Sequence, residues 1–218
     1  MQGTTTIPNL RAIRIAPWCR CRRKRAFDVL CACALLLPAL PLMAVVAVLI
    51  RLSSPGPILF RQRRIGICGS EITVLKFRTM VQSSSAGPGV TASDDPRVTA
   101  IGRALRKSKL DELPQLFNVL RGDMSMVGPR PDLPDYLAQL PPRLSELLMM
   151  RPGITGWATL RYRHEEELLA AVPPEDITDF YTRVLLPRKA RLDLEYGKRA
   201  TFWSDLSILF RTALAVLS

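Results

Sequence analysis

The run VLCACALLLPALPLMAVVAVLI, Val29 to Ile50, decides how this chain is organised, because it contains no charged side chain. A helix needs about 20 apolar residues to cross a bilayer, and the run is that long. Pro38 and Pro41 lie in its middle, where each removes a helical hydrogen bond and favours a kink. Basic residues lie on both flanks, and such flanks stay on the cytoplasmic side of a membrane. The sequence therefore permits two interpretations: a kinked spanning helix, or a re-entrant helix that bends near Pro41 and returns to the same face.

The charge balance outside this run favours anionic partners. The 218 residues include 31 Lys and Arg against 19 Asp and Glu, a net charge of +12. Nucleic acid, acidic lipid and phosphorylated substrates all suit such a surface. No recognised nucleic-acid module is present, and nucleic-acid binding would leave the apolar run unexplained. The five cysteines have no zinc-like spacing, so we interpret them as free thiols in a reducing compartment.

After the apolar run the pattern is that of a small α+β domain, mostly helical. Residues 58–64 and 71–80 are typical of two short strands, and Gly66 and Gly69 between them predict the turn of a β-hairpin. Apolar residues recur with helical spacing over 113–120, where Gly122 ends the pattern. Near the end, Ser204 is the expected N-cap of an amphipathic helix. The apolar faces of these helices fit either a small core or the membrane interface.

The densest group of reactive side chains surrounds the sequence SKLDE, residues 108–112. Ser108 is the expected cap of a helix whose first turn contains Asp111, and Pro114 is tolerated only near such a start. A helix N-terminus stabilises an ionised carboxylate and also binds phosphate. A carboxylate can attack phosphorus and form an acyl phosphate, with nearby cations and Mg²⁺ offsetting the negative charge. The alternative is that these acidic residues only complement the helix dipole.

A series of short motifs narrows these alternatives. In chain order they are FD (27–28), KFRTM (76–80), DPRVT (95–99), LDELPQL (110–116) with NVL (118–120), GDMS (122–125), VGPRP (127–131) and RPGITGWA (151–158). Their order and content resemble the bacterial sugar transferases known as monotopic phosphoglycosyl transferases, polyprenyl-phosphate sugar-1-phosphate transferases, in their minimal form with one membrane segment. The resemblance is strong from Lys24 to Ala158 and weak beyond. Seven ordered motifs are far more specific than one short pattern.

The resemblance implies a role for each matching position. Asp111 would be the nucleophile and a ligand of Mg²⁺, the expected cofactor, and Glu112 would assist it. Pro41 would mark the break of a re-entrant membrane helix. The basic positions that would contact phosphate groups are Lys76, Arg78, Arg106 and Arg130. On the residues alone, a salt bridge is as good an interpretation of Arg130, and a solvated strand face of Lys76 and Arg78.

The implied reaction moves a sugar-1-phosphate from a nucleotide diphosphate sugar, expected to be a UDP-sugar, to polyprenyl (undecaprenyl) phosphate. The expected organisation is a basic tail (1–24), a re-entrant membrane helix (25–52) and a catalytic domain (53–218) on the cytosolic face of the bacterial inner membrane. Exopolysaccharide, capsule or O-antigen assembly is the expected setting. A catalytically silent membrane-bound scaffold is the alternative, and a homo-oligomer is compatible with either.

Two departures from the family pattern limit what can be carried over. Thr159 to Arg163 stand where many relatives have Gln, Val, a small polar residue, Gly and Arg. Leu40 replaces the usual Ser before the kink proline. The resemblance therefore leaves the sugar open.

Overall fold

The computed structural model describes residues 15–81 and 95–217, so most of the predicted basic tail lies outside the described residues. The described helices are α1 (Arg22–Ser53), α2 (Ala100–Lys107), α3 (Gln115–Arg121), α4 (Pro134–Leu137), α5 (Trp157–Arg161), α6 (Glu165–Ala170), α7 (Ile177–Phe180), α8 (Leu186–Arg199) and α9 (Phe202–Leu217). The strands are β1 (Leu59–Ile65), β2 (Glu71–Phe77), β3 (Ser125–Val127) and β4 (Gly153–Thr155). The described chain is thus mostly helical, with two small two-stranded sheets.

Helix α1 contains the whole apolar run, with Pro38 and Pro41 inside one helical segment. It is long and apolar enough to cross a membrane. Only 11% of its most apolar stretch of 18 residues is buried in the protein. Most of its leucine and valine side chains therefore face outward. That exposure sets α1 apart from the core helix of a soluble domain. The re-entrant bend at Pro41 stays a prediction.

The predicted β-hairpin is confirmed. β1 and β2 pair antiparallel, with Leu59 opposite Phe77 at the open end and Ile65 opposite Glu71 at the turn. The turn is a short 3-10 segment, Ile67–Gly69, in which Gly69 has a φ of +77° that favours glycine. On β2, Val74, Leu75 and Phe77 are buried, which fixes the hairpin against the helices.

The second sheet, β3 with β4, is parallel and was not predicted. Its two segments cross so closely that glycine is required at the contact. A Cβ on Gly153 would lie 2.1 Å from the amide nitrogen of Gly128, and one on Gly156 would lie 2.3 Å from the Gly128 carbonyl oxygen. These glycines belong to the VGPRP and RPGITGWA motifs, so the two motifs are held together by backbone packing.

A buried ionic junction joins the start of α1 to the end of the chain. Lys24 Nζ lies 2.8 Å from Asp28 Oδ1 and 2.8 Å from Asp205 Oδ2, and it donates to Ser125 Oγ at 2.7 Å. Trp18 Nε1 and the Tyr196 hydroxyl also donate to Asp205. Both aspartates are fully buried. We call this set of side chains the basal junction.

The predicted cap of the last helix was wrong. Helix α9 begins at Phe202, two residues before Ser204. The amide of Ser204 donates to Thr201 Oγ1, and the amide of Thr201 donates to Ser204 Oγ. These reciprocal bonds form a capping box with Thr201 as the cap. Ser204 therefore lies at the third helical position, where its side chain reaches back.

Candidate functional site

Helix α2 immediately precedes the turn that contains Asp111, and this helix ends differently from the prediction. Thr99 caps α2 by accepting the Gly102 amide at 2.9 Å. Ser108 ends this helix instead of starting the next one, and its Oγ donates to the Ala104 carbonyl at 2.8 Å. Lys109 then adopts a left-handed conformation with a φ of +56°, which reverses the chain into the 3-10 turn Leu110–Glu112. The expected Ser108 cap over Asp111 was wrong.

Helix α3 follows and fixes this turn against the hairpin. It begins after Pro114 and ends at Gly122, whose φ is +97°, so the expected helix end is confirmed. Asn118 on α3 is fully buried. Its Nδ2 donates to the Thr73 carbonyl at 2.7 Å, and its Oδ1 accepts the Leu75 amide at 3.0 Å. Asn118 therefore holds α3 on the edge of β2 and sets the distance between Lys76 and the Asp111 turn.

The side chains of Lys76 and Arg130 both bind the carboxylate of Glu112. Its Oε1 accepts from Lys76 Nζ at 2.7 Å and from Arg130 Nη2 at 2.9 Å. Burial alone would raise the pKa of Glu112, but Arg130 and Lys76 outweigh it and hold that pKa well below its ordinary value. Glu112 in turn raises the pKa of Arg130. Burial lowers the pKa of Lys76, and the nearby Glu112 opposes that effect. A carboxylate held this way is ionised and fixed in position.

Asp111 is different from its neighbour, because its Oδ1 is buried and has no hydrogen-bond partner. Burial raises the pKa of Asp111 to about 6, against the lowering effect of Lys76. The two adjacent carboxyls thus have pKa values pushed in opposite directions by their surroundings. Such a separation is typical of paired groups with different roles in one reaction.

The predicted site residues fall into two groups. Asp111, Glu112, Lys76 and Arg130 lie together. The guanidinium of Arg78 instead binds the end of α1, through the Pro55 carbonyl at 2.8 Å and the Ser54 carbonyl at 2.7 Å.

Arg106 lies on the last turn of α2, where its Nη2 is 3.0 Å from Glu166 Oε1 on α6. Phosphate contact by Arg78 or Arg106 stays a prediction. Sequence reasoning missed Asn118, because an amide inside a helical pattern gives no sign of which backbone it will bind.

The carboxylate pair also bears on the expected metal. Among the described residues no group of three or more His, Cys, Asp or Glu side chains is placed to hold a metal ion. Mg²⁺ commonly uses one or two carboxylates together with substrate phosphates and water. The unpaired Oδ1 of Asp111 fits that mode. The residues present therefore fit a magnesium ion that the substrate helps to bind.

Fold and site together define a class: an α+β domain attached to an exposed apolar helix, with a buried aspartate next to a partly buried glutamate that binds two cations. The family model described as bacterial sugar transferase matches residues 19–218. The chain belongs to this family.

Three curated relatives illustrate its range. Undecaprenyl-phosphate glucose phosphotransferase of Komagataeibacter xylinus is 43% identical over 197 residues, which cover 87% of this chain and 35% of that protein. UDP-N-acetylgalactosamine-undecaprenyl-phosphate N-acetylgalactosaminephosphotransferase of Aeromonas hydrophila is 38% identical over 89% of this chain and 44% of its own length. Exopolysaccharide production protein PSS of Rhizobium leguminosarum bv. phaseoli is 39% identical over 89% of this chain and 95% of its own length. The chain thus spans less than half of the first two relatives.

Proposed function

We propose that this protein is a polyprenyl-phosphate sugar-1-phosphate transferase that uses a nucleotide diphosphate sugar, with Asp111 as the nucleophile. The observation that carries the proposal is the buried, unpaired carboxylate oxygen of Asp111 beside the clamped Glu112. The names of the relatives supply the substrate class: undecaprenyl phosphate, and in one name a UDP-sugar. Because those names specify different sugars, they leave the sugar open.

The first step forms a covalent intermediate. A carboxylate oxygen of Asp111 bonds to the phosphorus next to the sugar, and the bond from that phosphorus to the bridging oxygen breaks. Nucleoside monophosphate, UMP for a UDP-sugar, leaves with the bridging oxygen and its electron pair. The positive charges of Lys76 and Arg130, which both act to lower the pKa of Asp111, would offset the repulsion between carboxylate and diphosphate. Glu112 keeps these two cations in place.

The second step releases the product. A phosphate oxygen of the polyprenyl phosphate attacks the same phosphorus, and the bond to Asp111 breaks. Polyprenyl diphosphate sugar forms, and the Asp111 carboxylate returns to its ionised state. Asp111 would be the protein ligand of a magnesium ion, which when bound would neutralise part of the negative charge on the phosphates. This would be the first membrane step in making an exopolysaccharide, capsule or O-antigen glycan.

The anchoring of α1 supports a re-entrant course from the cytosolic face of the inner membrane. At its start, Arg25 donates to the Leu120 carbonyl at 2.9 Å, and Asp28 accepts the Met126 amide at 3.1 Å. At its end, Arg78 binds the carbonyls of Ser54 and Pro55. Both ends are thus bound by the same domain, whereas a spanning helix would carry them to opposite faces about 30 Å apart. A bend near Pro41 would let the apolar middle of α1 enter the bilayer while both of its ends stay on the same side of the membrane.

We propose that helix α9 lies in the membrane interface. Trp203, Leu206, Phe210 and Leu214 share one face and are exposed, whereas Ile208 on the other face is buried. At its start, Phe202 packs edge-to-face against both Trp18 and Phe27, ring centroids 5.9 and 5.2 Å apart. Aromatic residues of this kind concentrate at membrane interfaces. The start of α9 therefore packs against the start of α1.

The deciding experiment measures release of nucleoside monophosphate from a panel of nucleotide sugars, with undecaprenyl phosphate and Mg²⁺. We expect lipid-dependent release by the wild type and none by Asp111→Asn. Release by both would refute Asp111 as the nucleophile. No release from any donor by folded protein would favour the silent scaffold. Omission of Mg²⁺ with a chelator tests the metal in the same assay.

A second experiment tests the course of α1. Single cysteines placed at Arg22 and Ser53 in a cysteine-free chain should react with a membrane-impermeant maleimide from the same side of inverted vesicles. Labelling from opposite sides would refute the re-entrant course and leave the transferase proposal untouched.

A further inference from the structure

The ion pair between Arg106 and Glu166 places a protein carboxylate on a guanidinium that is expected to bind phosphate. Arg106 Nη2 and Glu166 Oε1 are 3.0 Å apart. Arg106 belongs to the last turn of α2, and Asp111 follows within five residues. Arginine binds carboxylate and phosphate oxygens with the same planar set of donors. Glu166 therefore occupies Arg106 in the way that a substrate phosphate would.

The helix that carries Glu166 borders the site, and its three consecutive glutamates contact three different side chains. Glu165 Oε2 accepts from Lys189 Nζ at 2.7 Å, and its charge contributes to raising the pKa of Arg130. Glu167 pairs with His164 at 3.1 Å on the exposed surface. Each glutamate of α6 thus has its own contact, and only that of Glu166 reaches α2.

The exposed fraction of the side chains indicates which of these ion pairs a ligand can separate. The side chain of Lys189 is 4% exposed, so removal of Glu165 would leave a buried ammonium without its carboxylate. The side chain of Glu166 is 35% exposed, so water can solvate it once Arg106 is released. Glu165 therefore holds α6 in place while Glu166 is free to exchange.

We propose that Glu166 is an internal competitor of the donor: it holds Arg106 in the free enzyme, and a phosphate of the nucleotide sugar displaces it on binding. This inference rests on the proposed function and on phosphate contact by Arg106. Binding of the donor then includes the cost of separating the pair, which lowers its affinity. The same exchange in reverse helps nucleoside monophosphate to leave, because Glu166 returns to Arg106. Glu166 thereby sets how tightly the site holds nucleotide phosphates.

The test uses the full-length protein in detergent and measures Kd for UMP, together with KM for the nucleotide sugar that gives the fastest release in the panel. Glu166→Gln keeps the shape of the side chain and removes its charge. We expect Glu166→Gln to lower both constants roughly twofold to fivefold, the range of a partly exposed ion pair. Glu167→Gln, the neighbouring charge on the same helix, is the matched control and should leave both unchanged. The effect of Glu166→Gln should shrink in 0.5 M salt, where exposed charges are screened.

A double substitution separates competition from a structural role. In an Arg106→Ala background, Glu166→Gln should have no further effect, because no guanidinium remains to be released. Weaker or unchanged binding by Glu166→Gln alone would overturn the inference, because release of Arg106 should tighten binding. If Arg106→Ala leaves Kd and KM unchanged, Arg106 lies outside the donor site and the inference also fails. In each of these cases release of UMP by the wild type would still uphold the proposed function.

Discussion

Asp111→Asn should make the protein more stable while it abolishes transfer. Without a ligand the Asp111 carboxylate is buried, and its Oδ1 has no hydrogen-bond donor. Burying an ionised carboxylate without full compensation opposes folding. An asparagine has almost the same shape and is neutral at every pH, so it avoids that cost. The substitution therefore removes the proposed nucleophile and also removes a group that destabilises the fold.

The size and sign of the effect follow from the pKa. Burial raises the pKa of Asp111 from its ordinary value of 3.8 to about 6. Each pKa unit corresponds to about 1.36 kcal/mol, so the ionised carboxylate costs at most about 3 kcal/mol of folding free energy. Between about pH 4 and pH 6 Asp111 is protonated more in the folded chain than in the unfolded chain, so its contribution to stability falls as pH rises through that window. Above it the full cost is present.

The assay is the thermal midpoint of wild type and Asp111→Asn in detergent, with a chelator present to keep magnesium out. For a chain of this size, about 3 kcal/mol corresponds to roughly 6–12 °C, which is the upper limit of the gain at pH 8.5. At pH 4.5 the gain should fall to about a third of its value at pH 8.5, because the unfolded carboxyl is still largely ionised there. Asp176→Asn, an exposed aspartate, is the control and should change neither midpoint. A variant less stable than wild type at pH 8.5, or a gain that does not depend on pH, would refute the reasoning.

Three further predictions concern the site and its supports. Because the proposed mechanism needs an ionised Asp111, kcat/KM for transfer should fall below about pH 6 instead of about pH 4, in a profile from pH 5 to 9 at fixed Mg²⁺. Lys24→Met should lower the free energy of unfolding by about 3–5 kcal/mol, measured by thermal midpoint, because Asp28 and Asp205 lose their shared cation. The exposed Arg23→Met is its control, and equal midpoints for the two variants would contradict the basal junction. Gly128→Ala should cost about 1–3 kcal/mol, because its Cβ would lie 2.4 Å from the Arg151 carbonyl oxygen; an unchanged midpoint would mean that the β3–β4 crossing can widen freely.

Local signals in the sequence predicted local structure well. The β-hairpin was predictable because alternating apolar residues and a glycine turn lie within 20 residues. The end of α3 was predictable because Gly122 has the left-handed conformation that ends a helix. Both serine caps were wrong for one reason: a serine beside a helix boundary can lie on either side of it. Ser108 lies at the end of α2, where its Oγ donates to the Ala104 carbonyl. Ser204 lies inside α9, where its Oγ accepts the amide of the cap Thr201.

Contacts between distant residues could not be predicted. Lys24 looked like one of several basic flanking residues, yet it is buried between two aspartates, one of them near the other end of the sequence. Arg78 and Arg106 matched basic motif positions, but their partners depend on how α1 and α6 pack against the site. The close crossing of β3 and β4 involves strands of three residues, too short for any periodic signal.

The basal junction also constrains the order in which the protein can mature. Trp18 and Asp205, which bind each other, are 187 positions apart. During synthesis from the N-terminus, α1 emerges from the ribosome and meets the bilayer long before Asp205 is translated. Until α9 is made, Lys24 has only Asp28 as an ionic partner within the junction. The contacts of Asp205 with Lys24 and Trp18 therefore form late, after α1 has met the bilayer. They are completed by one of the last segments of the described chain to be translated.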